Sequence, residues 1–155
     1  MSAPLPSYIT GADITMPHLL WPFFNNNRPL LSALFRAATR AMLRWARRQG
    51  VEVGIFCALH TYGRQLNQHP HIHLSVTRGG LDMKHGVWRD IYFKKQAVEE
   101  IWRGAVIRLL RHSYDLIKPG SLPGLGHIRD RKQWQRYLES QYGRRWKVHF
   151  AKKFA

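Results

Sequence analysis

The stretch that decides the fold is His60-Thr-Tyr-Gly-Arg-Gln-Leu-Asn-Gln-His-Pro-His-Ile-His-Leu-Ser-Val-Thr77, which holds four of the nine histidines within fourteen residues. Apolar and polar side chains alternate over residues 71–77, which is the pattern of a strand with one apolar face. Residues 51–59 form a second apolar and β-branched run, and the turn-like residues 63–70 separate the two runs. We therefore predict two antiparallel strands joined by a loop.

The predicted pairing brings three histidines to one face of the sheet. We expect His60 opposite His71 and Ala58 opposite His73, because directly opposed residues of an antiparallel pair point to the same side. The other side of both strands is apolar, as expected for a face that packs on a core. Alternate histidines on an exposed strand are often merely solvated, and the third histidine in register is what indicates a metal site. His69 lies at the loop end, ahead of a proline that suits a strand's first position, and is the weaker ligand candidate.

Length and composition indicate one globular domain that binds a polyanion. The chain has 155 residues, of which 45% are apolar, enough for a core and too many for a disordered segment. Twenty-five Lys and Arg stand against nine Asp and Glu, which gives a formal net charge of +16. Nucleic acid is the leading partner for a globular domain with this charge, and an anionic membrane surface is the lesser alternative.

The sequence also bounds the compartment and the cysteine chemistry. No long apolar stretch predicts a membrane span, and the N-terminus lacks a basic region followed by an apolar one, so we expect no secretory signal and a cytoplasmic location on DNA. The single cysteine, Cys57, rules out an internal disulfide and a multi-cysteine zinc site. Its place on the apolar strand face predicts a small core residue.

Periodicity and turn residues predict the other elements. Pro29 stands at the opening of a long helix and Gly50 just past its end, which is the usual asymmetry of helix termini. The predicted order is a strand at 8–16, this helix, strands at 51–59 and 71–77, a turn at 78–80, a short edge strand within 86–93, a helix at 97–112, a loop at 119–126, a helix at 131–142 and a strand at 146–150.

The long helix carries a row of arginines. Arg36, Arg40, Arg44 and Arg48 recur every four residues and therefore share one face. Such a row is either an ordinary solvated face or a phosphate-contacting surface. Like charges at this spacing repel each other by about 0.2–0.5 kcal/mol per pair, and a polyanion would relieve that repulsion.

Several separated motifs resemble one family. His60-Thr-Tyr-Gly-Arg-Gln-Leu66, followed by His69-Pro-His-Ile-His-Leu74 and Thr77-Arg-Gly-Gly80, resembles the HUH motif region of rolling-circle insertion-sequence transposases with paired catalytic tyrosines. Ile14-Thr-Met-Pro-His-Leu-Leu-Trp21 is similar to the family's strand ahead of its first helix. Trp146-Lys-Val-His149 is similar to its last strand before the tyrosines. The resemblance covers most of the chain, and the motifs follow in the family's order.

The resemblance implies a fold and an activity. It implies an α+β domain of the HUH endonuclease type, with a central antiparallel sheet and helices packed on one face, over residues 1–155. It implies a divalent metal, Mg or Mn, held by His71 and His73 with His60 as third ligand, and nicking and joining of single-stranded DNA at insertion-sequence ends. All-imidazole ligation by itself favours zinc, manganese or cobalt over magnesium. The DNA-binding candidates are Arg36, Arg40, Arg44, Arg48, Arg64 and Arg78.

The chain departs from the family pattern in two respects. The tyrosine pair is expected on a helix after the segment that ends at His149, and the chain stops at Ala155. The family's cysteine-rich zinc-binding region ahead of this domain has no counterpart either. We therefore expect a catalytic domain without its zinc-binding region and tyrosine helix. Tyr137 and Tyr142, on the predicted third helix, are the candidate nucleophiles that remain.

Two other functions compete with this interpretation. His69-Pro-His-Ile-His-Leu-Ser75 resembles the histidine-triad nucleotide hydrolases, although Ser75 stands where an apolar residue is expected and a charge of +16 is unusual for an enzyme of mononucleotides. The chain could also be a non-catalytic nucleic-acid-binding module with structural histidines. That module would bind single strands in a salt-sensitive and metal-independent way.

Overall fold

The computed structural model describes residues 9–25, 27–60, 71–77, 79–91, 93–144 and 146–150. For residues 9, 10, 55–60 and 71 the description covers the backbone alone. The elements in chain order are strand β1 (Ile9–Ile14), a 3-10 helix (His18–Phe23), helix α1 (Arg28–Arg48), strands β2 (Val51–Glu52), β3 (Ile55–His60), β4 (His71–Thr77), β5 (Gly79–Asp82) and β6 (Trp88–Asp90), helices α2 (Lys95–His112) and α3 (Tyr114–Ile117), a 3-10 turn (Pro119–Ser121), helix α4 (Arg131–Tyr142) and strand β7 (Val148–Phe150).

Within the described part of the chain, the main sheet has four strands in the order β3-β4-β1-β7, and each neighbouring pair is antiparallel. Its two faces differ sharply, because side chains alternate along each strand. The described side chains of one face are all apolar and fully buried: Ala12, Ile14, Ile72, Leu74, Val76 and Val148. The other face carries polar side chains that stay partly exposed. The predicted α+β class with an antiparallel sheet is confirmed.

Helices α1 and α2 cover the apolar face. Helix α1 begins where the Asn27 side chain accepts a hydrogen bond from the Leu30 N–H (3.2 Å), and it ends before Gly50, whose φ of +77° suits a residue without a side chain. In α2, Trp102 is fully buried, and its indole N–H donates to the carbonyl oxygen of Thr15 (2.9 Å), next to the end of β1. Helix α4 packs on α2, where the indole of Trp134 donates to the Leu110 carbonyl oxygen (2.9 Å).

The structure corrects the prediction for residues 51–59. They form two short strands rather than one, because the chain leaves one sheet for the other at Gly54. β2 belongs to a second sheet, in the order β2-β5-β6, and β3 to the main sheet. The Gly54 N–H donates to the Thr77 hydroxyl (3.1 Å), and the Thr77 N–H donates to the Gly54 carbonyl oxygen (3.1 Å). These bonds hold the crossing point against the end of β4.

The predicted turn at residues 78–80 is wrong for its two glycines. Gly79 and Gly80 lie in β5, and a side chain at Gly80 would overlap the carbonyl oxygen of Glu52 in β2. The glycines therefore serve the close approach of backbones within a strand rather than a turn. The following hairpin is organised by Asp82, whose carboxylate accepts from the N–H groups of Lys84 (2.9 Å) and His85 (3.0 Å). The N–H and the ring of His85 hold the pKa of Asp82 below its usual value.

No helix among the described residues is both long and apolar enough to cross a membrane.

Candidate functional site

The polar face of the main sheet is the candidate functional site. The predicted register is confirmed for the backbone, since His60 pairs with His71 and Ala58 with His73. On its other side, β4 pairs with β1 so that His73 lies opposite Asp13. Neighbouring strands lie about 4.8 Å apart, so the side chains of one row are close enough to interact.

Asp13 and His73 form the best-defined contact on this face. Asp13 Oδ1 lies 2.8 Å from Nδ1 of His73, and the two side chains are 39% and 36% exposed. An ionised carboxylate can only accept a hydrogen bond, so Nδ1 carries the proton in this contact. In a neutral imidazole the lone pair is then on Nε2, the nitrogen that a metal would take. The carboxylate also sets the orientation of the ring.

The three predicted metal ligands lie on this face as far as their backbone shows. The backbone positions of His71 and His73 are two residues apart on β4, and His60 is the direct backbone partner of His71. The side chains of His60 and His71 lie outside the described residues, and so does His69. Among the side chains that the structure describes, no group of three or more His, Cys, Asp or Glu is arranged to hold a metal.

Asp13 and His149 lie on the polar face, but the sequence did not predict either of them as a site residue. Asp13 pairs with His149 of β7 as well as with His73, which places a carboxylate between two imidazoles across three strands. His149 is exposed at the sheet edge. Each alternates with apolar neighbours in its own strand, which marks a polar face, but no local pattern shows which strand will lie beside β4.

The two tyrosines proposed as nucleophiles lie on α4, on the helix side of the sheet. The Tyr137 ring stacks on Trp134 with centroids 5.9 Å apart and meets the Phe23 ring edge-on at 6.0 Å. Burial in this cluster raises the pKa of Tyr137, and the charge of Arg144 offsets part of that rise. Tyr142 is 43% exposed, and the Arg103 guanidinium lies 4.1 Å above the centre of its ring.

The arginine row lies where the helical pattern predicted it. Arg36, Arg40, Arg44 and Arg48 are all exposed on α1, on a side of the helix turned away from the buried stripe. Arg64 and Arg78 lie outside the described residues. The row and the histidines thus belong to different layers of the molecule.

Comparison with known proteins identifies the family. Residues 54–155 match the model of the Y2_Tnp family, described as "Putative transposase". The chain belongs to this transposase family. The match includes β3, β4 and β7 and therefore three of the four strands of the main sheet.

Two curated proteins are similar to this Y2_Tnp chain. The transposase for insertion sequence element IS801 from Pseudomonas savastanoi pv. phaseolicola is 46% identical over 143 residues, which cover 90% of this chain and 33% of the relative. The Putative transposase y4qJ from Sinorhizobium fredii is 28% identical over 146 residues, which cover 89% of this chain and 36% of the relative. The chain thus spans about a third of the length of the curated relatives it matches. No solved structure matches it.

Proposed function

We propose that this Y2_Tnp chain binds a divalent metal on the polar face of the main sheet and serves the nicking and joining of single-stranded DNA at insertion-sequence ends. The proposed ligands are His60, His71 and His73, the proposed fold type is that of the HUH endonucleases, and the proposed route is rolling-circle transposition. Family membership supports a transposase over the histidine-triad hydrolase. A bacterial cytoplasmic location on DNA belongs to the same proposal.

The observation that carries the proposal is the hydrogen bond between Asp13 and His73. His73 lies two residues along β4 from His71, whose backbone pairs with that of His60. A carboxylate that accepts a hydrogen bond from the Nδ1–H of an imidazole is the usual support of a metal-bound histidine, because it fixes the tautomer and raises the basicity of the other nitrogen. A non-catalytic DNA-binding module would need no such pair.

The donor set restricts the metal. Imidazole nitrogens bind first-row transition metals better than magnesium, whereas the family resemblance favours magnesium or manganese. Manganese satisfies both arguments and is the ion to test first. When bound, it would polarise the scissile phosphate.

The proposed strand cleavage is a tyrosine reaction. A tyrosine hydroxyl attacks the phosphorus, the bond to the 3′ oxygen breaks, and that oxygen takes up a proton, which leaves a 5′-phosphotyrosine and a free 3′-hydroxyl. Of the two candidates in this chain, Tyr142 is the more accessible. Tyr137 is disfavoured because burial raises its pKa and so lowers the fraction of phenolate.

DNA contacts are proposed for six arginines. These candidates are Arg36, Arg40, Arg44, Arg48, Arg64 and Arg78. Guanidinium groups pair with phosphates in two-point hydrogen bonds, and a net charge of +16 attracts DNA over a longer range.

The decisive experiment is a search for a covalent protein–DNA adduct. Labelled single-stranded DNA is incubated with the protein and manganese and resolved on a denaturing gel. We expect no adduct with the wild type, because Tyr137 and Tyr142 lie on the helix side of the sheet, away from the histidine face. An adduct that is lost in Tyr137→Phe or in Tyr142→Phe would instead assign the nucleophile to α4. No adduct from the wild type, with metal and DNA binding intact, would place the nucleophile outside these residues.

Calorimetry tests the metal site separately from the reaction. His71→Ala and His73→Ala are each expected to abolish manganese binding, and His112→Ala, an exposed histidine on α2, serves as the matched control. Unchanged manganese affinity in either of the first two variants would remove the proposed site.

A further inference from the structure

A groove runs between α1 and α2 on the outer surface of the helix layer. Its volume is about 440 Å³. Its floor is formed by small and aliphatic side chains of both helices, and its rim is cationic. The rim residues are Arg36, Arg40 and Arg44 of α1 and Arg108 and His112 of α2, all exposed.

The charged side chains that line the groove are arginines, so its charge is positive. No carboxylate lines it among the described residues, and α1 contains no acidic residue at all. On α2, the Glu99 carboxylate accepts from the Val148 N–H (3.2 Å) and is therefore turned toward the sheet. No ion pair is found for the four arginines within the described part of the chain. Four guanidinium groups in one groove repel one another, so an anionic occupant would stabilise them.

The groove and the histidine face point in opposite directions. Helices α1 and α2 bury one stripe against the sheet, and the groove opens on the side of both helices turned away from it. His73 and Asp13 project from the other side of the sheet. A helix layer about 10 Å thick and the sheet itself lie between them. A short stretch of DNA seated on one surface therefore cannot contact the other.

The form of the groove favours duplex DNA. Arg36, Arg40 and Arg44 recur every four residues and are therefore spaced by about 6 Å along the axis of α1. A duplex strand presents a phosphate about every 3.4 Å of its axis, so the row spans about three or four phosphates. No Phe, Tyr or Trp side chain lines the groove among the described residues, so the large rings on which successive bases of a single strand stack are lacking there.

We infer that the α1/α2 groove binds the phosphate backbone of a DNA duplex while the histidine face holds a single strand. The groove is a second DNA site, which Arg108 and His112 complete. The inference rests on the proposed function only where it assigns the single strand to the histidine face. The binding of a duplex in the groove does not depend on the metal. Both sites are occupied at once because they lie on opposite sides of the molecule.

Duplex affinity measured against salt tests the groove. The variant is Arg40→Ala/Arg44→Ala/Arg108→Ala. The matched control, Arg111→Ala/Lys132→Ala/Arg136→Ala, removes the same charge from exposed positions outside the groove. Fluorescence anisotropy of a labelled duplex should show that the groove variant binds about tenfold to hundredfold more weakly, with a slope of log affinity on log salt shallower by about 2.7. The control should change the slope by less than about 1. Equal losses in the two variants would overturn the inference.

Co-binding tests the second site. One equivalent of unlabelled single-stranded DNA should leave duplex affinity within about twofold, whereas a shared site would predict displacement in proportion to occupancy. Displacement overturns the inference. His73→Ala should weaken single-strand binding in the presence of manganese and leave duplex affinity unchanged. If His73→Ala changes nothing but the groove variant still loses the duplex, the proposed metal face fails and the groove stands.

Discussion

The histidine face of the main sheet and the rim of the α1/α2 groove are both polar, but they differ in how precisely their side chains are positioned. On the sheet, Asp13 and His73 are partly buried and are held 2.8 Å apart by strand pairing. In the groove, long arginine side chains of one sign reach from two helices into solvent. A ligand to a metal must be placed within a few tenths of an ångström, whereas attraction of a polyanion tolerates mobile side chains. The sheet therefore suits chemistry and the groove suits retention of DNA.

The largest effect on the free energy of unfolding should come from the packing of the helix layer on the main sheet. Trp102→Ala is expected to destabilise the protein by about 3–5 kcal/mol, because it empties a fully buried site and removes the indole donor to Thr15. Urea unfolding measures this loss. Trp102→Phe keeps most of the volume and should cost less. If Trp102→Ala costs under about 1 kcal/mol, the packing between the layers does not depend on this residue.

The histidine face should respond to its supporting carboxylate. Asp13→Ala is expected to lower manganese affinity about 10–100-fold, because the ring of His73 loses the partner that sets its tautomer and orientation. Calorimetry measures the metal, and the same variant should bind duplex DNA normally. Equal manganese affinity in the wild type and Asp13→Ala would mean that the hydrogen bond between Asp13 and His73 does not support metal binding.

A smaller effect is expected at the edge of the same face. His149 lies two strands from His73, about 9.6 Å across the sheet, with Asp13 between them. His149→Ala should therefore change manganese affinity by less than about threefold, since the proposed ligands cluster at β3 and β4. A loss of manganese affinity as large as that expected for Asp13→Ala would indicate that the metal site lies closer to β7 than we propose.

The smallest effect should appear in the groove without DNA. Arg40→Gln removes the repulsion with Arg36 and Arg44 at similar helix propensity, so the free energy of unfolding should rise by about 0.5 kcal/mol at low salt. The gain should fade at high salt, because exposed charges are screened. Denaturant unfolding at two ionic strengths measures it. Destabilisation at low salt would mean that Arg40 has an attractive partner.

The stretches with strong local signals were predicted well. Pro29 and Gly50 marked the ends of α1, and the helix at 131–142 has the predicted bounds. The pairing of His60 with His71 followed from strand parity and the loop between the runs. Each of these features is set by residues close together in the chain, where turn chemistry and side-chain period decide the outcome.

The stretches where backbones approach closely were predicted less well. Residues 51–59 split between two sheets at Gly54, and Gly79 and Gly80 entered a strand. Glycine signals a turn and a close backbone contact equally well, and the neighbouring strand decides between them. That neighbour, β2, lies far away in sequence.

The sequence by itself determined the α+β class, the long basic helix and the strand pair that carries the histidines, because hydrophobic period and capping residues act over a few positions. Only the tertiary structure decided that Asp13 backs His73 and that Arg108 joins the arginine row. These contacts follow from the order β3-β4-β1-β7 and from the packing of α2 on α1. That order results from burying one shared apolar face, which depends on the whole chain at once rather than on any local pattern.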